Sequence, residues 1–243
     1  MSLLEVRGVH KRFGGVVALD GVDMNIEEGE ILGLVGPNGS GKSTLINILS
    51  GFYPCDEGAI RFDSEEATEM PAHRIAALGL ARTYQIPRPF DTMTPRENIA
   101  VSYMFGHSRH SLAEARKAAQ EWLEFTGLAD VADIKISELT LHQLKFLELA
   151  RSLATQPSLL LLDEVLAGLN PSEINVSVEM IRRIHERGVT ILIVEHVVRV
   201  VMALSERLVV LDQGRVISEG EPEAVMTDPA VVTAYLGEKS KGA

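Results

Sequence analysis

The chain has 243 residues, 46% of them hydrophobic and 23% charged, enough for one large α/β domain or a main domain carrying a smaller one. Lys and Arg total 23 against 34 Asp and Glu, a formal net charge of −11, which argues against the basic face that nucleic-acid binding needs. Cys55 is the single cysteine, so no intramolecular disulfide can form and a reducing compartment fits.

The first residues carry no long apolar run behind a basic stretch, so no signal peptide is expected. No segment approaches the ~18 apolar residues of a membrane span, and work at a membrane would go through partners. Residues 3–35 read as β structure, with Gly14-Gly15 and Glu28-Gly29-Glu30 as turns. The apolar run Ile31-Leu32-Gly33-Leu34-Val35 is of the kind buried in a parallel sheet. A glycine-rich loop follows, then a helix over 42–50 with Gly51 as its stop.

From about residue 71 to 155 the pattern turns mostly helical. Thr94-Pro95-Arg96-Glu97 predicts a helix start, with Thr as cap, Pro first and Glu third. Ser111-Leu112-Ala113-Glu114 repeats that logic, and Gly127 ends the helix it opens. This block reads as a helical insertion in an α/β domain. The strand–helix rhythm returns after Pro157. Residues 159–162 are a strand, Asn170-Pro171-Ser172-Glu173 opens a helix stopping at Gly188, and 189–194 is the next strand. Residues 208–211 and 216–219 flank the turn Asp212-Gln213-Gly214. The tail over 238–243 reads as loose.

The glycine-rich loop is Gly36-Pro37-Asn38-Gly39-Ser40-Gly41-Lys42-Ser43-Thr44. It fits G-x-x-x-x-G-K-[ST] between a predicted strand and a predicted helix, the context that motif requires. Glycines let the backbone curl so that N–H groups converge on phosphate oxygens, and the helix start adds its dipole. Lys42 would reach the β- and γ-phosphates of a nucleoside triphosphate, and Ser43 would ligate Mg²⁺. The strand over 159–162 runs into Asp163-Glu164. A buried strand ending in Asp sets a carboxylate at the sheet edge where such sheets bind ligands. Asp163 is placed to hold Mg²⁺, directly or through water, and Glu164 to polarise an attacking water.

With these residues in place the chain resembles the ATPase subunits of ABC transporters over essentially its full length. The resemblance implies that Phe13 stacks on adenine. It implies that Gln85, in Thr83-Tyr84-Gln85, touches Mg²⁺ and the attacking water, and that His196, after Glu195, contacts the γ-phosphate. Ala167-Gly168-Leu169-Asn170-Pro171 and the ending Asp228-Pro229-Ala230-Val231-Val232-Thr233-Ala234-Tyr235-Leu236-Gly237-Glu238 look like the subfamily serving branched-chain amino acid importers, whose relatives also serve urea and other small organic solutes. The family's signature, L-S-G-G-Q, aligns with Leu139-Thr140-Leu141-His142-Gln143. Both glycines are gone. Since the signature closes over nucleotide held by an opposite subunit, Leu141 and His142 are expected to crowd that approach. Val165 stands where the family usually has Pro, and Asn170 where many relatives carry Asp.

The resemblance implies an α/β fold: a P-loop NTPase core with an antiparallel β subdomain and a helical insertion. Residues 1–85 and 157–243 would form the core and 86–156 the helical subdomain. ATP and Mg²⁺ are the implied ligands. The implied partners are integral membrane permease subunits, a second ATPase subunit and a solute-binding protein, with no nucleic acid. The place of work would be the cytoplasmic face of the plasma membrane. The altered signature favours a heterodimer with a glycine-bearing ATPase, with a homodimer the alternative. Two other readings stay open. One is a soluble ATPase of the same fold acting in repair or translation, which usually needs two nucleotide domains or a long coiled-coil insertion, neither visible here. The other is a subunit that hydrolyses poorly and completes its partner's site.

Overall fold

Alternating apolar residues such as Leu4, Val6 and, beyond a bulge, Val9 make the N-terminal segment a half-buried strand. In the computed structural model, which describes residues 2–106 and 110–236, it is one of ten strands among the described residues. In chain order these are β1 (Ser2–Phe13), β2 (Val16–Glu27), β3 (Ile31–Val35), β4 (Glu57–Phe62), β5 (Glu65–Glu66), β6 (Leu80–Arg82), β7 (Leu159–Asp163), β8 (Thr190–Val194), β9 (Arg207–Asp212) and β10 (Arg215–Gly220). The helices are α1 (Lys42–Leu49), α2 (Ala72–Ala77), α3 (Pro95–Met104), α4 (Leu112–Phe125), α5 (Leu141–Ala154), α6 (Pro171–His185), α7 (Val198–Leu204), α8 (Pro222–Thr227) and α9 (Pro229–Leu236). Gly237 and Glu238 of the expected ending, and the tail over 238–243, lie outside the described residues. No described helix is long and apolar enough to cross a membrane.

The chain divides into two compact units, residues 1–75 with 190–243, and residues 76–189. In the first unit an antiparallel sheet runs β2-β1-β4-β5. Leu4 faces Ile26, Val6 faces Met24 and Val9 faces Val22 across β1 and β2, and all six side chains are buried. A bulge separates the Val6 and Val9 pairs, where Gly8 takes a φ of 56°. A second set of strands has β3 parallel to both β8 and β9. All five residues of β3 and all five of β8 are buried, as parallel strands covered on both faces must be. β10 folds back antiparallel on β9 through Gln213 and Gly214, at φ 48° and 79°. Two positive φ values make the primed turn that suits the twist of a hairpin.

The second unit holds the parallel pair β6 and β7 and the helices α3 to α6. Each of those four helices opens with a full capping box. The pairs are Thr94 with Glu97, Ser111 with Glu114, Thr140 with Gln143, and Asn170 with Glu173. Each box satisfies two backbone groups that a helix start otherwise leaves open. Gly127, at φ 71°, follows the end of α4, and Leu128 N donates back to Leu123 O at 2.8 Å, the reverse turn that glycine favours there. Among its described residues, the stretch over 71–155 holds α2 to α5 and one short strand, β6. Three residues are too few to show strand periodicity, and Leu80, Ala81 and Arg82 become a strand only by pairing with Leu159, Leu160 and Leu161. The β4–β5 hairpin and the short helices α7 to α9 likewise lack a local signal strong enough to announce them.

Candidate functional site

The phosphate loop lies wholly in the first unit, between β3 and α1. Gly36, Gly39 and Gly41 have φ values of 148°, 80° and 110°. A Cβ on Gly36 would stand 2.0 Å from Leu211 O, and one on Gly41 2.6 Å from Ala18 O. Glycine is therefore required here both by conformation and by space. Inside the curl, the Lys42 ammonium donates to Gly36 O at 2.8 Å and Pro37 O at 2.9 Å, and approaches Ser40 Oγ at 3.4 Å. Lys42 and Ser40 are buried, Ser43 is exposed and Thr44 is half-buried, while Asn38 and Gly39 form the exposed tip. Gly41 stands at the N-cap of α1 and makes no side-chain cap bond, and the first amides of this helix follow the loop directly. A buried ammonium beside such amides is the donor set that a di- or triphosphate fits.

The same unit carries two further expected residues. Phe13, at the end of β1, is 43% exposed, and its ring meets Tyr53 edge-on at 5.4 Å. Tyr53, an aromatic the sequence reading passed over, thus extends the apolar face of Phe13. His196 follows β8 and is exposed, whereas Glu195 before it is buried. Tyr235 on α9 also touches the loop. Burial raises its phenol pKa, against a hydrogen bond with the Gly36 backbone.

The second unit brings together Gln85, Asp163 and Glu164. β7 delivers Asp163 at its C-terminal end, where Asp163 N donates to Thr83 Oγ1 at 3.3 Å. The Asp163 carboxylate is paired with Arg82, Nη2 to Oδ2 at 2.9 Å, and both side chains are at most 10% exposed. Glu164 has a φ of 51°, a conformation costing a non-glycine residue about 1–3 kcal/mol. The Gln85 amide donates to the Glu164 carboxylate.

Helix α5 supports this edge. Lys145 donates to the carbonyls of Val165 at 3.0 Å and Glu164 at 3.3 Å. Glu148 pairs with Arg151 at 2.9 Å and accepts from Arg88 N at 3.4 Å, and Arg151 donates to Arg88 O at 2.8 Å. Burial pushes the Glu148 carboxyl above its ordinary value, against the pull of the Arg151 guanidinium. Ser152 Oγ donates to Arg82 O at 3.1 Å. None of Arg82, Lys145, Glu148 and Ser152 was singled out from the sequence for a role at the site, because each acts on residues distant in the chain.

The signature stretch occupies the start of α5. Thr140 Oγ1 accepts from Gln143 N at 3.2 Å and Gln143 Oε1 accepts from Thr140 N at 2.9 Å. Leu139 is buried, Leu141 is 46% exposed, and the His142 ring packs on Phe146 with centroids 4.3 Å apart. Neither Leu141 nor His142 has a positive φ, so the backbone here does not itself require glycine. Closeness of approach is all that glycine would add.

The family model described as ABC transporter matches residues 19–167, and the one described as branched-chain amino acid ATP-binding cassette transporter matches residues 215–240. The chain is 40% identical to the high-affinity branched-chain amino acid transport ATP-binding protein BraF of Pseudomonas aeruginosa, over 97% of this chain and 98% of that one. It is 38% identical to the corresponding protein LivG of Escherichia coli, with the same coverage. Among solved structures, the ADP conformation of an ATP-binding cassette of an ABC transporter superposes with a TM-score of 0.88 at 33% identity, over 98% of this chain and 100% of that one. A phosphate loop before α1, an acid pair ending β7 and end-to-end relatives lead to one conclusion: this chain belongs to the ABC transporter family, as an ATP-binding and ATP-hydrolysing subunit with the P-loop cassette fold.

Proposed function

We propose that this chain binds and hydrolyses Mg²⁺·ATP to energise an importer of small solutes of the branched-chain amino acid type. In this reading Gly36, Pro37, Asn38, Gly39, Ser40 and Gly41 wrap the phosphates. Lys42 offsets the β,γ-charge, with Thr44 beside it, and Phe13 stacks on the base. Ser43, Asp163 and Gln85 supply oxygen donors of the kind Mg²⁺ takes. Mg²⁺, when bound, neutralises charge on the phosphate oxygens. Glu164 takes the proton of the attacking water, Gln85 orients the Glu164 carboxylate, and His196 contacts the γ-phosphate.

The observation that carries this reading is the hydrogen bond from Gln85 to Glu164. Seventy-nine residues separate the two in sequence. An amide donating to that carboxylate limits the directions it can take, and a general base needs a fixed direction. The names of the relatives, each a branched-chain amino acid transport protein, support the solute class.

Residues 86–156 would form the helical subdomain that passes motion to the permease subunits. The chain would sit on the cytoplasmic face of the membrane, with a solute-binding protein delivering the solute on the other side. Two ATPase subunits would pair head to tail, so that residues 139–143 serve the partner's nucleotide. The loss of both glycines favours a second ATPase subunit of different sequence, with the homodimer as the alternative. The test is Glu164→Gln in the full-length chain. ATP binding should persist, hydrolysis should fall by about 10²–10⁴-fold, and ATP with Mg²⁺ should trap a closed dimer. Hydrolysis close to wild type would remove Glu164 as the base. Uptake of labelled leucine compared with labelled urea, with and without the chain, tests the solute class.

A further inference from the structure

Lys145 lies in the second turn of α5 and is 8% exposed. A buried ammonium is costly unless its protons find acceptors. Here it donates to two successive carbonyls, those of Glu164 and Val165. The first belongs to the residue held at φ 51°. Such a conformation persists only where surrounding groups over-determine it. It also decides where the Glu164 side chain points, since the Cβ direction follows the backbone. Further along the same helix, Glu148 and Arg151 hold both peptide groups of Arg88, and Ser152 holds the Arg82 carbonyl. The helix therefore grips the backbone on either side of Gln85 in sequence as well as the backbone of Glu164.

We propose that Lys145 is a positioning residue for hydrolysis. It fastens the strained peptide that aims the Glu164 carboxylate, and ties that carboxylate to the helix whose first turn is the signature. A shift at Thr140, Leu141 or His142 is then felt at Glu164 of the same subunit. This rests on the reading of Glu164 as the general base. It adds a device through which a chain's own signature end governs its own catalytic carboxylate.

The experiment compares Lys145→Met, Lys145→Arg, Glu164→Gln and the Met–Gln double variant in the full-length chain assembled in its transporter. Lys145→Met keeps the length and removes the donors. Its kcat should fall about 10–100-fold, with ATP affinity within about twofold of wild type, because the geometry of the base is lost and the phosphate site is not. Lys145→Arg retains donors and should recover most of the rate. The double variant should hydrolyse no more slowly than Glu164→Gln alone, since a misplaced amide loses nothing further. If Glu164→Gln is inactive while Lys145→Met hydrolyses at the wild-type rate, the role of Lys145 is refuted and the base stands. If Glu164→Gln stays active, the reading of the base fails. Parallel loss of ATP affinity, melting temperature and rate in the Met and Arg variants would reduce Lys145 to a packing residue and overturn the proposal.

Discussion

In the first unit the phosphate loop is shaped by its own backbone. Gly36, Gly39 and Gly41 take positive φ, and the Lys42 ammonium closes on carbonyls five and six residues away. In the second unit the acid edge is shaped by side chains arriving from afar. Arg82 meets Asp163 across 81 residues, Gln85 meets Glu164 across 79, and Lys145 meets Glu164 across 19. The first arrangement holds itself mainly through bonds within the loop, with Leu211 O and Ala18 O closing on two of its glycines. The second is distributed, so distant substitutions reach it.

The largest effect should come from the charge in the local arrangement. Lys42→Ala should lower ATP affinity about 100-fold, the worth of losing charge-assisted bonds to phosphate, with little change in melting temperature. Nucleotide titration and thermal melting measured together check this. Unchanged affinity would remove the phosphate-loop assignment. Gly36→Ala attacks the shape instead. Its Cβ would stand 2.0 Å from Leu211 O, so the loop must move. We expect a loss of about 2–3 kcal/mol, which for a chain of this size lowers the melting temperature by about 5–10 °C. A Gly36→Ala protein that melts and binds ATP like wild type would show that the loop is less tightly determined than its backbone indicates.

Two variants probe the distributed arrangement at the start of α5. Leu141→Gly with His142→Gly should raise hydrolysis in the assembled transporter by opening the approach to the partner's nucleotide. It should also cost about 1 kcal/mol of stability per glycine. Equal ATPase rates for the chain alone and the mixed complex, with no gain from the glycine pair, would end the case for an asymmetric pair of sites. Thr140→Ala should have the smallest effect. It removes one cap, worth about 1 kcal/mol, and should lower the melting temperature by about 2–4 °C. A larger fall in kcat than in stability would indicate that the first turn of α5 feeds into the acid edge.

Much of this is readable residue by residue. The caps at Thr94, Ser111 and Asn170 act within three residues, and their helices begin where those residues predict. Gly127 ends α4 for an equally local reason. Thr140 also caps a helix through its hydroxyl, at the place where the family's signature opens one. β6 is too short to display a period, and the pairing of its Arg82 with Asp163 leaves no local mark.

The sequence by itself determined the elements whose causes lie within a few residues: the phosphate loop with its glycines and Lys42, the capped helices, and the strand that ends in Asp163 and Glu164. Only the tertiary structure decided that Arg82 pairs with Asp163, that Gln85 bonds Glu164, and that Lys145 holds the peptide bearing Glu164. The physical reason is range. Turn, cap and helix preferences arise from sterics and hydrogen bonds between near neighbours in the chain. The partner of a buried charge is instead whichever group parallel strand pairing and helix packing bring within hydrogen-bond reach, and no local pattern records that choice.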